Sequence, residues 1–218
     1  MKFFKILLFS FALFSTNMLL AKETNPISIQ EKKKKFFKTL VPAINSIYME
    51  LYGNYKRIKR NIKNPKYKNY ISTLKKAYKV KTDKDLLKAL KPHPRSIALA
   101  QAAVESAWGT SKFYKEANNV FGIWSFNKNE PRIAASQKRG KTTIWLKKYA
   151  SIRESVKDYY KNISRSHAFV EFRELNMKTD DPYKLVKKLT LYSEMKEIYT
   201  QELAAVIKHN KLYKYDKP

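Results

Sequence analysis

Glu105 sits near the end of an almost wholly apolar run, Ile97-Ala-Leu-Ala-Gln-Ala-Ala-Val-Glu-Ser-Ala-Trp108, which breaks at Gly109. The run follows Pro92 and Pro94 and is rich in alanine and leucine, so it reads as a short helix. Apolar on nearly every face, such a helix belongs in the interior. A carboxylate there is costly unless it is paired or protonated. Burial and the negative end of the helix dipole both push its pKa upward. A carboxylic acid that keeps its proton near neutral pH is the group that general-acid cleavage of a glycosidic bond requires. The competing reading is structural: Glu105 pairs with one of the many lysines, or caps a neighbouring helix.

The elements that must position Glu105 are mostly helical. Ser28-Ile-Gln-Glu31 has the form of a capping box. It opens a long amphipathic helix carrying Phe36, Phe37, Leu40, Ile44, Ile47, Tyr48, Leu51 and Tyr55, with Pro42 as an expected kink. A lysine-rich stretch over 61–70 reads as a surface loop, and helices follow over 71–79 and 82–90. Between Arg132 and Tyr149, β-branched and aromatic residues flank Gln137-Lys-Arg-Gly140, which predicts a hairpin. Ser151-Ile-Arg-Glu154 is a second capping-box pattern, and Asp181-Pro182 opens another helix. Met195, Ile198, Tyr199, Val206 and Ile207 mark the expected buried face of the last one.

Ala98-Leu-Ala-Gln-Ala-Ala-Val-Glu-Ser-Ala-Trp-Gly-Thr-Ser111 and Asn118-Asn-Val-Phe-Gly-Ile-Trp124 together resemble the signature of bacterial β-N-acetylglucosaminidases of glycoside hydrolase family 73, in the branch called Bax-like. Lys35-Phe-Phe-Lys-Thr-Leu-Val-Pro-Ala-Ile44 resembles the amino-terminal helix of that branch. Ser151 to Ile163, and Tyr192-Ser-Glu followed by Tyr199-Thr-Gln-Glu-Leu203, resemble its later helices. The resemblance implies a mainly α, lysozyme-like, two-lobed helical fold with a small β-hairpin lobe. It also implies hydrolysis of peptidoglycan glycan strands, at the bond between N-acetylglucosamine and N-acetylmuramic acid, without a cofactor.

A cleft between two lobes would hold a glycan, and flat aromatic rings cover the apolar side of a sugar. Trp124 and Trp145 are candidates for that role, with core packing as the alternative for each; Trp108, directly after the apolar helix, is expected in the core. Asn118 and Ser106 are further candidate substrate contacts, while Asn119 more naturally ties down the loop before Gly122. The second catalytic group is less obvious. Ordinary glycosidases use two carboxylates, yet the hairpin over 132–149 contains no acid, and Glu130 just before it is the nearest one. The resemblance maps a functional tyrosine onto Tyr192. Two routes stay open: Glu130 as nucleophile or base, or attack by the substrate's own N-acetyl group with Tyr192 orienting it. The second is preferred.

Composition frames the setting. Residues 1–21 combine Lys2 and Lys5 with a phenylalanine- and leucine-rich core and no acid, the pattern of a secretory signal peptide cleaved after Ala21. An uncleaved membrane anchor is the alternative. The expected organisation is a signal peptide over 1–21, an amino-terminal helical segment over 22–80 packed on the catalytic domain, and a glucosaminidase domain over 81–218. With no cysteine there is no disulfide and no thiolate ligand, and the three histidines lack metal-ligand spacing, so no metal site is expected. Net charge is +28, and loss of the first 21 residues removes two lysines to leave +26. In the periplasm that excess faces peptidoglycan and other anionic envelope polymers, with peripheral contact to membrane headgroups, and nucleic acid is not an expected partner. The rival enzyme reading is a lytic transglycosylase or lysozyme-type muramidase. A non-catalytic, basic envelope-binding protein is the rival from another class.

Overall fold

A computed structural model describes residues 28–139 and 142–217. The signal-peptide reading over 1–21 and the tip of the hairpin at Gly140 fall outside them. The element order is α1 (Ile29–Asn61), α2 (Lys68–Tyr78), α3 (Asp83–Leu90), α4 (Arg95–Glu105), α5 (Lys112–Ala117), β1 (Arg132–Arg139), β2 (Thr142–Lys147), α6 (Ile152–Arg165), α7 (Val170–Asn176), α8 (Pro182–Val186) and α9 (Glu197–His209), with short 3₁₀ turns between. Among the described residues β1 and β2 form the single, antiparallel sheet, with Ile133 opposite Leu146 and a register irregularity between Ala134 and Lys138.

The capping box at Ser28 forms as its sequence pattern predicts: Ser28 Oγ accepts from the Glu31 amide, and Glu31 accepts from the Ser28 amide. From there α1 runs 33 residues and continues through Pro42. The expected loop over 61–70 is shorter than its composition predicts. Asn64 caps a 3₁₀ turn at Pro65–Tyr67, and α2 begins directly at Lys68. Ser151 forms half of a capping box, accepting from the Glu154 amide, while the Glu154 carboxylate reaches one residue further back to the Ala150 amide.

The principal core joins Phe36, Leu40, Ile44 and Ile47 of α1 to α4, to the Val120–Ile123 loop and to the buried faces of α6 and α9. A smaller cluster of Tyr55, Ile58, Ile71, Leu86 and Leu90 holds the far end of α1 against α2 and α3. Apolar contacts therefore cross residue 80 in both clusters. On α9 the buried positions are Tyr199, Leu203 and Ile207, one helical face. Met195 and Ile198, expected on that face, are 40% and 61% exposed because they lie before and at the first turn of α9 and project away from it.

Asn119 makes three of the hydrogen bonds that fasten the loop linking α5 to the hairpin. Asn119 Nδ2 donates to the carbonyls of Ile123 (2.9 Å) and Lys147 (2.8 Å), and its Oδ1 accepts from the Ile123 amide at 3.0 Å. Asn119 is buried, and alanine there removes three hydrogen bonds to the backbone, although the Ile123 carbonyl keeps the Lys147 amide as a donor. Asn119→Ala is expected to cost roughly 3 kcal/mol, read as a lower urea midpoint at unchanged slope.

Candidate active site

Nearly every side of α4 is covered: Ser96 to Ala103 are all buried. The helix ends at Glu105, three residues earlier than the apolar run predicts. Ser106 stops it: its Oγ donates to the Ala102 carbonyl at 2.6 Å and accepts from the Gly109 amide at 2.9 Å. The chain then turns through Ala107, Trp108 and Gly109, all at positive φ (49°, 57° and 76°). Two consecutive non-glycine residues in the left-handed region carry strain, and they leave Glu105 in the last turn of α4, where the helix dipole is negative.

Glu105 is partly accessible, as a proton donor to an outside substrate must be. Tyr199 of α9 donates its hydroxyl to Glu105 Oε1 at 2.8 Å. The Glu105 pKa is raised from 4.5 to about 8: burial dominates, the Tyr199 hydrogen bond opposes it, and the charge of Glu202 on α9 adds to it. At neutral pH the group is therefore a carboxylic acid. Among the described residues Glu105 pairs with no lysine, and the Tyr199 hydroxyl is its hydrogen-bond partner.

Tyr192 is fully buried. Its ring stacks on Tyr199 at 5.6 Å, nearly parallel, and its hydroxyl donates to the Phe121 carbonyl at 3.4 Å. It reaches the Glu105 site through Tyr199, with its own hydroxyl directed at the backbone.

Glu130 occupies a different place. Its Oε1 accepts from the Ser125 hydroxyl at 2.7 Å, and its Oε2 lies 3.9 Å from Lys147 Nζ. Lys147 also pairs with Asp158 at 2.9 Å, and Tyr149 donates to the same Asp158 oxygen at 2.8 Å. Glu130 and Trp124 both line a cleft of about 720 Å³ between the hairpin base and α6, together with Phe126, Asp158 and Arg165. Glu105 is not part of that lining. The ring of Trp124 stands 6.1 Å from that of Phe126, which is 69% exposed.

The remaining candidates are occupied elsewhere. Trp145 on β2 lies under the Arg132 guanidinium at 4.2 Å, and Asn118 donates to the Tyr149 carbonyl at 3.0 Å. Ser106 is buried and committed to the helix end described above. Trp108 is partly buried and packs edge-on against Phe36 and Phe37, with Lys33 over its ring at 4.4 Å. Among the described residues no group of histidine and carboxylates is arranged to hold a metal ion.

Sequence reasoning alone missed Tyr199, Glu202 and Asp158. A signal existed for Tyr199: the period Tyr199, Leu203, Ile207 places its hydroxyl inside, where it must find a partner. Asp158 and Lys147 meet only because β2 folds onto α6, which no local pattern encodes.

The profile of the glucosaminidase family, described as mannosyl-glycoprotein endo-beta-N-acetylglucosaminidase, matches residues 80–212. The chain belongs to this family. It is a glycoside hydrolase of the Bax-like branch. Over 197 residues it is 27% identical to Protein bax of Escherichia coli (strain K12), spanning 82% of this chain and 70% of that one. Among solved structures it resembles the N-acetylmuramoyl-L-alanine amidase from Staphylococcus aureus at a TM-score of 0.57 and 18% identity, covering 98% of this chain. The chain spans about half of that protein, 52%. The catalytic domain of the autolysin Auto from Listeria monocytogenes is similar at a TM-score of 0.50 and 23% identity, with 90% and 91% of the two chains covered. These likenesses establish the shared fold: mainly helical, lysozyme-like, with the small β lobe.

Proposed function

We propose that the enzyme is an exported endo-β-N-acetylglucosaminidase that hydrolyses peptidoglycan between N-acetylglucosamine and N-acetylmuramic acid, with Glu105 as general acid. One observation carries this reading. Glu105 keeps its proton at neutral pH while a buried hydroxyl holds one of its oxygens. The names of the two similar solved proteins, an autolysin and an N-acetylmuramoyl-L-alanine amidase, support a cell-wall substrate. Such a substrate lies outside the cytoplasm, in keeping with the leader pattern over 1–21. No helix among the described residues is long and apolar enough to cross a membrane.

In this mechanism Glu105 gives its proton to the leaving glycosidic oxygen as the substrate's acetamide oxygen attacks the anomeric carbon. Water then opens the cyclised intermediate, and the Glu105 carboxylate recovers a proton from it. The setting of Glu130 favours this route over a second carboxylate: its oxygens are taken by Ser125 and approached by Lys147. Tyr192 braces Tyr199 in this scheme, and Tyr199 is the hydroxyl at the reacting acid. The cleft beside the hairpin, with Trp124 half-buried and Phe126 exposed along it, would seat neighbouring sugars.

Two experiments test the reading. Mass spectrometry of fragments released from purified sacculi should show N-acetylglucosamine at the reducing ends; N-acetylmuramic acid there, or its anhydro form, would assign the protein to the muramidases or lytic transglycosylases. Glu130→Gln is expected to keep kcat within about threefold of the parent. A loss matching that of Glu105→Gln, which general acid-base roles place at about 10²–10⁴-fold, would make Glu130 a catalytic partner instead.

A further inference from the structure

Four interior hydrogen bonds run in series to the proposed acid. His93 Nε2, just before α4, lies 2.8 Å from the Tyr159 hydroxyl of α6. Tyr159 donates to Gln101 Oε1 at 2.6 Å, and Gln101 Nε2 donates to the Tyr199 hydroxyl oxygen at 2.9 Å. Tyr199 donates to Glu105 Oε1 at 2.8 Å. His93, Gln101, Tyr159 and Tyr199 are all buried, and Gln101 and Glu105 are one helical turn apart on α4.

The series has a direction because each member has few protons to give. A glutamine amide accepts only at its oxygen and donates only at its nitrogen, and a tyrosine hydroxyl has a single hydrogen. Tyr159 spends its hydrogen on Gln101, so its oxygen is left to accept from the Nε2–H tautomer of His93. Burial pushes His93 down to about 3, so it is neutral and carries one N–H. Gln101 in turn fills the acceptor side of Tyr199, whose hydrogen is left for Glu105. With the amide of Gln101 reversed, every arrow would reverse, and Glu105 would direct its proton into the protein instead of toward a substrate.

We propose that His93, Tyr159 and Gln101 are positioning residues that set the polarity of this chain, so that Tyr199 always donates to Glu105 Oε1, the acid proton stays on Oε2, and the carboxylate left after proton transfer is stabilised. The proposal rests on Glu105 being the general acid. It adds a role for three residues that touch no substrate. A hydroxyl bonds a carboxylate about twice as strongly as it bonds a neutral acid, and serial hydrogen bonds polarise one another. The chain therefore favours Glu105 more after proton release than before it, which is the difference that lowers a barrier.

The test uses Gln101→Met, which keeps the length of the side chain and removes both hydrogen bonds, assayed on soluble uncrosslinked glycan strands. The ionisable groups facing Glu105 are Tyr199 and Glu202 of α9, Tyr192 of the preceding turn and Tyr159 of α6. Burial holds the three tyrosines well above 10 and also raises Glu202 above its usual 4.5, so the alkaline limb is followed in Glu202→Gln as well, where a limb that stays in place belongs to Glu105. The expected result is a fall in kcat of about 10–100-fold, the size of a hydrogen bond to a charged group, with KM within about twofold. The alkaline limb of the rate profile should move to higher pH, because the Glu105 carboxylate is less well stabilised. Tyr159→Phe carries the same expectation if the methionine variant does not fold, since it retains the ring stacked 3.9 Å from Phe121. A lowered melting temperature with kcat and the limb unmoved in either folded variant would reduce the chain to packing and overturn the proposal. Full activity of Glu105→Gln, measured in parallel, would overturn it differently, by removing the acid it serves.

Discussion

Glu105→Gln is expected to lower turnover by about 10²–10⁴-fold while the fold stays intact. The amide has the same shape, so Tyr199 can still donate to its oxygen, but it has no acidic proton for a leaving group. Activity of the parent enzyme should fall as pH rises through about 8, where Glu105 loses its proton. The stability of the parent should also fall over this range, while that of the variant, which has no group to titrate there, should not. The folded pKa of Glu105 is raised above 4.5, so the proton it holds contributes stability that is fully present below that value and is lost as pH rises through about 8. Above pH 8 the parent therefore buries a charge that the amide avoids. There Glu105→Gln should be more stable than the parent, by roughly 1–3 kcal/mol once partial solvent access to the group is allowed for. Below pH 5 the two should melt together. Near-parental turnover, or a variant less stable than the parent at alkaline pH, would remove Glu105 as a buried general acid.

That conflict between stability and chemistry is also what made the site legible. An acid at the end of an alanine-rich apolar run contradicts the run's own pattern, and local contradictions mark functional positions. The capping box at Ser28, the amphipathic stripe of α1, the hairpin and the α8 start at Asp181-Pro182 were readable because each depends on near neighbours. The end of α4 was misplaced by three residues because the apolar run continues past it. Ser106 and the left-handed turn at Ala107 stop the helix there, and alanine and tryptophan give no local cue for positive φ. Met195 and Ile198 fit the apolar spacing of α9, but Met195 precedes the helix and Ile198 sits in its first turn facing outward. The partners of Glu105 and Glu130 were out of reach. Tyr199 lies 94 positions from Glu105, Lys147 is brought near Glu130 by the register of the hairpin, and it meets Asp158 only where the hairpin reaches α6.

Binding to intact sacculi is expected to weaken by at least about tenfold between 0.1 and 1 M salt, as the Debye length shrinks from about 10 Å to about 3 Å. Even if each of the 18 acids took a cation of its own, 28 of the 46 lysines and arginines would be left over. The surplus is concentrated. Between Glu50 and Asp83 there are 11 lysines and arginines and no acid, and this stretch forms the end of α1 and all of α2 around the smaller core. All but Lys75 are exposed there, and Lys75 and Lys63 pair with Asp83. Replacing Lys56, Lys59, Lys66, Lys68 and Lys76 with glutamine should therefore weaken sacculus binding more than the same change at Lys32, Lys33, Lys34 and Lys35, where Lys33 is already engaged by Asn210 and Trp108. Hydrolysis of a short, soluble, uncharged glycan should change little with salt or with either set of substitutions, because contacts in a cleft are short-ranged. If salt suppressed hydrolysis of the uncharged glycan as strongly as it suppressed sacculus binding, the charge would act at the site of reaction, and a basic lobe that holds the enzyme on an anionic wall would have no support.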